Sequence, residues 1–78
     1  MLEEDHQSTL MTLRQRAGLT QKQLAEALGV TVTTVSAWER GAQVPRLTVI
    51  QTQQFLKVCQ CTIDELVEAF MGTQKARN

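Results

Sequence analysis

The 78-residue sequence has few of the side chains that most catalytic and metal sites require. It contains one histidine, His6, and neither a Ser/His/Asp set nor a glycine-rich phosphate loop. Two cysteines, Cys59 and Cys61, are too few for a disulfide scaffold and lack further thiols to complete a zinc site. We therefore expect no enzyme activity, cofactor, metal site or small-molecule substrate. Both thiols should be reduced and mostly buried, with metal or redox chemistry as the alternative.

Long apolar segments are missing as well. The longest uninterrupted apolar run is residues 69–71, whereas a membrane-spanning helix needs ~20 residues. Residues 1–5 (MLEED) are acidic and lack the apolar region of a signal peptide, so we expect a cytoplasmic protein without a membrane partner. The three aromatic residues, Trp38, Phe55 and Phe70, leave most of the core to aliphatic side chains.

The composition is that of one soluble globular domain, with 42% hydrophobic and 21% charged residues. Eight Lys and Arg residues balance eight Asp and Glu residues, but they are unevenly placed. Residues 9–57 contain six basic and two acidic side chains, and the two ends together contain two basic and six acidic ones. Net neutrality therefore does not exclude a polyanionic partner, but it predicts weak non-specific binding.

Helix start and stop signals divide the chain into about five short helices. The start signals are capping boxes at Thr20-x-x-Gln23, Thr48-x-x-Gln51 and Thr62-x-x-Glu65, and an N-cap at Thr31; the stop signals are Gly18, Gly29 and Gly41. No convincing strand pattern occurs. We predict an all-α fold, a compact helical bundle over residues 9–71 between a flexible acidic tail at 1–8 and a flexible C-terminal tail at 72–78.

The second and third predicted helices meet the requirements of a helix-turn-helix. Ala25 supplies the small residue where the helices cross, Gly29 tolerates the positive φ of the turn, and Val35 points back into the corner. The remaining inward positions are apolar: Leu24, Leu28, Val30 and Trp38. Chance helical hairpins rarely satisfy all seven positions.

At these residues the chain resembles the Cro/cI-type (XRE) helix-turn-helix family. The matching segments are Leu13-Arg14-x-x-Ala17-Gly18-Leu19-Thr20-Gln21-x-x-Leu24-Ala25-x-x-Leu28-Gly29-Val30-Thr31, Val35-Ser36-x-Trp38-Glu39-x-Gly41-x-x-x-Pro45 and Cys61-Thr62-Ile63-Asp64-Glu65-Leu66. The resemblance implies a lambda-repressor-like DNA-binding domain and a sequence-specific transcriptional regulator of double-stranded DNA. Domains of this type usually bind as dimers, at least on DNA. A dimer would use the domain's own surface, around Val67, Phe70 and Met71 in the last helix, or form only on DNA.

A recognition helix at about 31–40 would present its outward N-terminal residues to the major groove. Because Val35 and Trp38 point inward, the predicted base-contacting residues are Val32, Thr33, Ser36 and Ala37. None of them offers the bidentate hydrogen bonds of Arg, Asn or Gln, so we expect modest direct readout and a contribution from DNA shape. Val32 and Ala37 have an alternative role in binding a protein partner.

Backbone contacts are predicted to supply most of the affinity. The candidates for phosphate contact are Gln21, Lys22, Thr31, Arg40 and Arg46. The resemblance implies the phosphate role of Gln21, although Gln21 and Lys22 could also be ordinary solvated residues of a first turn. Thr31 could serve as a helix cap regardless of DNA, and Arg40 and Arg46 could be plain surface charges.

The family resemblance also implies an ion pair between Arg14 in the first helix and Glu39 at the end of the recognition helix. Its predicted role is structural. A second function on the same fold remains open, namely a protein-interaction module such as an antitoxin-like partner protein.

Overall fold

The computed structural model describes the backbone of residues 9–76 and the side chains of residues 9–72; within that range it contains five helices and no strand. The helices are α1 (Leu10–Arg16), α2 (Gln21–Leu28), α3 (Val32–Glu39), α4 (Val49–Cys59) and α5 (Ile63–Ala76). The predicted all-α fold is confirmed. The acidic tail predicted at 1–8 lies outside the described residues. α5 continues to Ala76, so most of the segment predicted as a C-terminal tail is helical, and residues 77–78 lie outside the described range.

Threonine caps determine where the helices begin. In the box before α2, the Gln23 backbone N–H donates to Thr20 Oγ1 at 3.0 Å, and the Thr20 N–H donates to Gln23 Oε1 at 2.9 Å. The boxes predicted at Thr48 and Thr62 form in the same way. Each box satisfies two backbone groups that a helix end would otherwise leave without partners.

The turn between α2 and α3 depends on Gly29, which has φ 72° and ψ 31°. Its N–H donates to the carbonyls of Ala25 and Glu26, and the Val30 N–H donates to Ala25 O at 3.0 Å. This left-handed conformation disfavours residues with a Cβ. Apart from Gly29 itself and its neighbours in the chain, no atom lies within 4 Å of the position that a Cβ would take. Backbone conformation, and not crowding, therefore requires glycine here.

One hydrophobic core joins all five helices. α2 packs on α3 and α4, and α1 packs on α3, α4 and α5. The buried cluster consists of Leu10, Leu13, Leu24, Ala25, Leu28, Val35, Trp38, Phe55, Cys59, Leu66 and Ala69. Ala25 and Val35 are both buried, as the helix-turn-helix pattern predicted. This packing fixes α3 by its inner face and leaves the opposite face to solvent.

Candidate nucleic-acid interface

The N-terminal turn of α3 is the most exposed part of that helix. Val32 is 43% exposed, Thr33 is also exposed, and Ser36 is half-buried one turn further on. Val35 and Trp38 lie in the core, so the predicted phase of the helix is correct. The exposed turn offers a surface of methyl groups and hydroxyls without a charged side chain.

Ala37 does not lie on the solvent face as expected, because it is only 7% exposed. The chain after Gly41 folds back over the end of α3, where the N–H groups of Ala42 and Gln43 donate to the Ala37 carbonyl at 2.9 and 3.3 Å. The expectation that Ala37 is exposed to solvent is therefore wrong. Its short side chain contributes little surface for a base.

Thr31 caps α3. Its Oγ1 accepts the Thr34 backbone N–H at 3.1 Å and lies 3.0 Å from the Thr34 hydroxyl oxygen. The side chain of Thr31 is thus engaged in the cap, as the structural alternative for this residue predicted. It remains exposed at the start of α3.

Arg14 and Glu39, which the family resemblance paired, are in contact. Arg14 Nε donates to Glu39 Oε2 at 2.7 Å, and Nη2 donates to Oε1 at 3.1 Å. Nη1 donates to the Leu19 carbonyl at 2.8 Å. The two side chains are only 11% and 4% exposed. Hydrogen bonding to Glu39 raises the pKa of Arg14 above its ordinary value, even though burial acts in the opposite direction.

Gln21 extends this pair to a third helix. Its Nε2 donates to Glu39 Oε1 at 2.9 Å, and the residue is half-buried. Glu39 therefore accepts three hydrogen bonds, from Arg14 in α1 and from Gln21 in α2. The sequence patterns gave no indication of this contact. Gln21 joins the start of α2 to the end of α3, while its neighbour Lys22 is exposed.

Arg40 and Arg46, the other two predicted basic contacts, are exposed. Arg40 is the C-cap of α3, and Arg46 lies in the loop between α3 and α4. A groove of about 490 Å³ beside α3 includes Arg46, Thr34, Trp38 and Gln51 in its lining. Gln51 Nε2 donates to the Leu28 carbonyl at 3.1 Å, which ties the first turn of α4 to the end of α2. This bond therefore holds α4 against the helix-turn-helix at the end of α2.

The two cysteines are free, with Cys59 buried and Cys61 half-buried. Burial raises the pKa of both thiols, to about 11 for Cys59. Deprotonation is therefore disfavoured, and a neutral thiol is a poor nucleophile and metal ligand. Within the described part of the chain, no group of three or more His, Cys, Asp or Glu side chains could hold a metal ion.

An exposed ion pair joins α1 to α5. Arg16 Nη1 and Nη2 donate to Glu65 Oε2 and Oε1 at 3.0 and 3.2 Å. Hydrogen bonding to Arg16, and then to the Thr62 N–H, lowers the pKa of Glu65. This pair could not be predicted from the sequence, because the two residues are 49 positions apart and no local pattern links them.

A five-helix domain with a glycine turn between α2 and α3 and an exposed N-terminal turn on α3 has the architecture of a DNA-binding helix-turn-helix protein. A family model described as helix-turn-helix matches residues 10–66, and the chain belongs to this XRE-type family. Members are DNA-binding domains and are typically non-enzymatic. Searches of curated proteins and of solved structures gave no match. No helix in residues 9–76 is long and apolar enough to cross a membrane.

Proposed function

We propose that the protein is a sequence-specific transcriptional regulator that inserts α3 into the major groove of double-stranded DNA. The observation that carries this proposal is the exposed N-terminal turn of α3 on a helix whose inner face is locked into the core. A recognition helix uses this part to reach base edges. The same role follows from the placement of α3 as the second helix of the helix-turn-helix.

Base reading in this proposal depends on Val32, Thr33 and Ser36. The Val32 side chain and the Thr33 methyl group suit thymine methyls, and the hydroxyls of Thr33 and Ser36 suit donor or acceptor edges. Ala37 is left out because its side chain is buried. Short side chains discriminate modestly between bases, so the deformability of the operator supplies further specificity.

Phosphate contacts supply the affinity. Lys22 at the start of α2 and Arg40 at the end of α3 are exposed cations at the two edges of the helix-turn-helix. Gln21 has its amide on Glu39, which fixes the first turn of α2, and helix N-terminal N–H groups bind anions. Thr31 and Arg46 complete the set of candidate contacts. Residues 9–57, with six basic side chains against two acidic ones, form the positively charged part of the chain.

Selection from a random DNA pool, followed by fluorescence anisotropy on the selected site and a scrambled site, tests the proposal. Affinity should fall with salt at a slope of about −0.9 per phosphate contacted. Lys22→Ala should weaken binding to both sites and reduce the slope by about 1, whereas Thr33→Ala should reduce the preference for the selected site.

Lys57→Ala is the matched control, because Lys57 is an exposed cation on α4, outside the helix-turn-helix. It should leave both affinities unchanged. Failure of the folded protein to bind any sequence at low salt would contradict the proposal.

The second candidate is a protein-interaction module on the same fold. Exposed apolar side chains in the first turn of α4 favour it, because Val49 is 86% and Ile50 is 69% exposed. Such a module would bind its partner protein without DNA. Loss of partner binding on Val49→Ser and Ile50→Ser substitution, with DNA binding absent in the parent chain, would support this function over the first.

A further inference from the structure

The first turn of α3 presents an aliphatic side chain to solvent at the point where the proposed complex meets base edges. Val32 is the first residue of the helix and is 43% exposed. Residues 31–36 contain no charged and no amide side chain, and the hydroxyl oxygens of Thr31 and Thr34 lie 3.0 Å apart in the helix cap. The Val32 side chain therefore offers a base an apolar surface and no hydrogen bond.

The edge of a base pair in the major groove carries one apolar group that an aliphatic side chain recognises, the methyl group at C5 of thymine. The other groups in the recognition pattern of that edge are hydrogen-bond donors and acceptors, which a valine side chain cannot satisfy. 5-Methylcytosine carries a methyl group on the same ring carbon, and this group points into the same groove. Val32 is therefore suited to distinguish a methylated pyrimidine from an unmethylated one, and not thymine from 5-methylcytosine.

We infer that 5-methylcytosine in the operator strengthens binding of this protein, because Val32 contacts the C5 methyl group. The inference rests on the proposed function and adds a second input to it, since the methylation of a cytosine changes the affinity without a change of base sequence. Burial of one methyl group corresponds to about a threefold to fourfold gain in affinity.

Fluorescence anisotropy on the selected duplex, with each thymine replaced in turn by deoxyuridine, tests the inference. Deoxyuridine pairs with adenine as thymine does and lacks only the C5 methyl group. At one position or more, the replacement should weaken binding about threefold to fourfold. A duplex with a C·G pair at that position should then bind more tightly, by about the same factor, when its cytosine is 5-methylcytosine.

Val32→Ser removes the aliphatic surface and should reduce the effect of the methyl group at one such position to less than about 1.5-fold. Val67→Ser is the matched control, because Val67 is 51% exposed on α5, outside the helix-turn-helix. It should keep the full effect of the methyl group, and circular dichroism should show both variants folded.

Three results overturn the inference and leave the proposed function intact. The first is tight binding of a selected duplex in which no C5 methyl group changes the affinity. The second is a methyl effect that Val32→Ser alters at no position, and the third is an effect that Val67→Ser abolishes equally. Failure of the folded protein to bind any duplex instead contradicts the proposed function, and the inference falls with it.

Discussion

Removal of the Glu39 carboxylate should destabilise the domain more than any surface substitution. Glu39→Ala leaves the Arg14 guanidinium without its carboxylate partner. This guanidinium is charged at every accessible pH, and the Arg14 side chain is only 11% exposed. Three hydrogen-bond donors lose their acceptor, namely Arg14 Nε, Arg14 Nη2 and Gln21 Nε2. Arg14 would keep only the Leu19 carbonyl. Breaking a buried pair in this way costs about 3–5 kcal/mol.

That loss is large against the total stability of so small a domain. At about 0.05–0.15 kcal/mol per residue, a chain of this length has a free energy of unfolding of roughly 4–12 kcal/mol. The melting temperature should fall by at least about 12 °C, since 1 kcal/mol corresponds to about 4–8 °C in domains of this size. Urea titration followed by the fluorescence of Trp38, the only tryptophan and a buried one, measures the change directly.

A double substitution separates two contributions to the free energy of unfolding. One is the cost of a buried charge without its partner, and the other is the stabilisation that the intact pair provides. Arg14→Met with Glu39→Met removes both charges and keeps apolar volume, so it should recover much of the stability lost in Glu39→Ala. Glu26→Ala, at an exposed site on α2, should change stability by less than about 0.5 kcal/mol. A loss below about 1 kcal/mol for Glu39→Ala would refute the reasoning, because that is the range of exposed pairs.

Three further predictions concern single positions. Gly29→Ala should cost about 1–2 kcal/mol in urea denaturation, because φ is 72° and no neighbouring atom crowds the new Cβ; an unchanged midpoint would contradict this. The lowered pKa of Glu65, which hydrogen-bonds Arg16, implies a contribution to stability that is complete above its ordinary value of 4.5 and is lost as pH falls through the lowered value. Glu65→Gln should therefore flatten the acid side of the pH–stability profile measured by thermal melts, and an identical profile would count against the pair. In alkylation at pH 8, Cys59 should resist labelling in the folded protein and react in denaturant, while Cys61 reacts faster in the folded state; equal native rates would contradict the assigned burial.

Local signals predicted the fold well because they act within a few residues of one another. A threonine followed three positions later by Gln or Glu satisfies backbone groups at a helix start, as in Thr20 and Gln23, whatever the rest of the chain does. The first box, between Thr9 and Thr12, was missed because threonine at its third helical position is outside the usual pattern. Gln60 ends α4 at φ 52°, where the sequence has no glycine to signal a left-handed residue.

Contacts between residues far apart in the sequence could not be predicted from such local signals. Ala37 is buried, and the chain after Gly41 donates two hydrogen bonds to its carbonyl. A helical period alone does not include that part of the chain. The ion pair between Arg16 and Glu65 depends on how α1 packs against α5. The family resemblance supplied the Arg14–Glu39 pair but not Gln21, because the approach of α2 to the end of α3 is a property of the assembled core.

The buried hydrogen bonds to Glu39 bear directly on the proposed use of the short side chains in the first turn of α3. In the proposed DNA complex, Val32 and Thr33 discriminate bases only by close contact, because neither side chain is as long as arginine or glutamine. Close contact requires that α3 be held at a fixed distance from the duplex. The helix is held at its far end, where Glu39 accepts from Arg14 in α1 and from Gln21 at the start of α2. Gln21 is itself a candidate for phosphate contact. In the proposed complex, the first turn of α2 and the helix that enters the groove are therefore joined by one hydrogen bond of 2.9 Å.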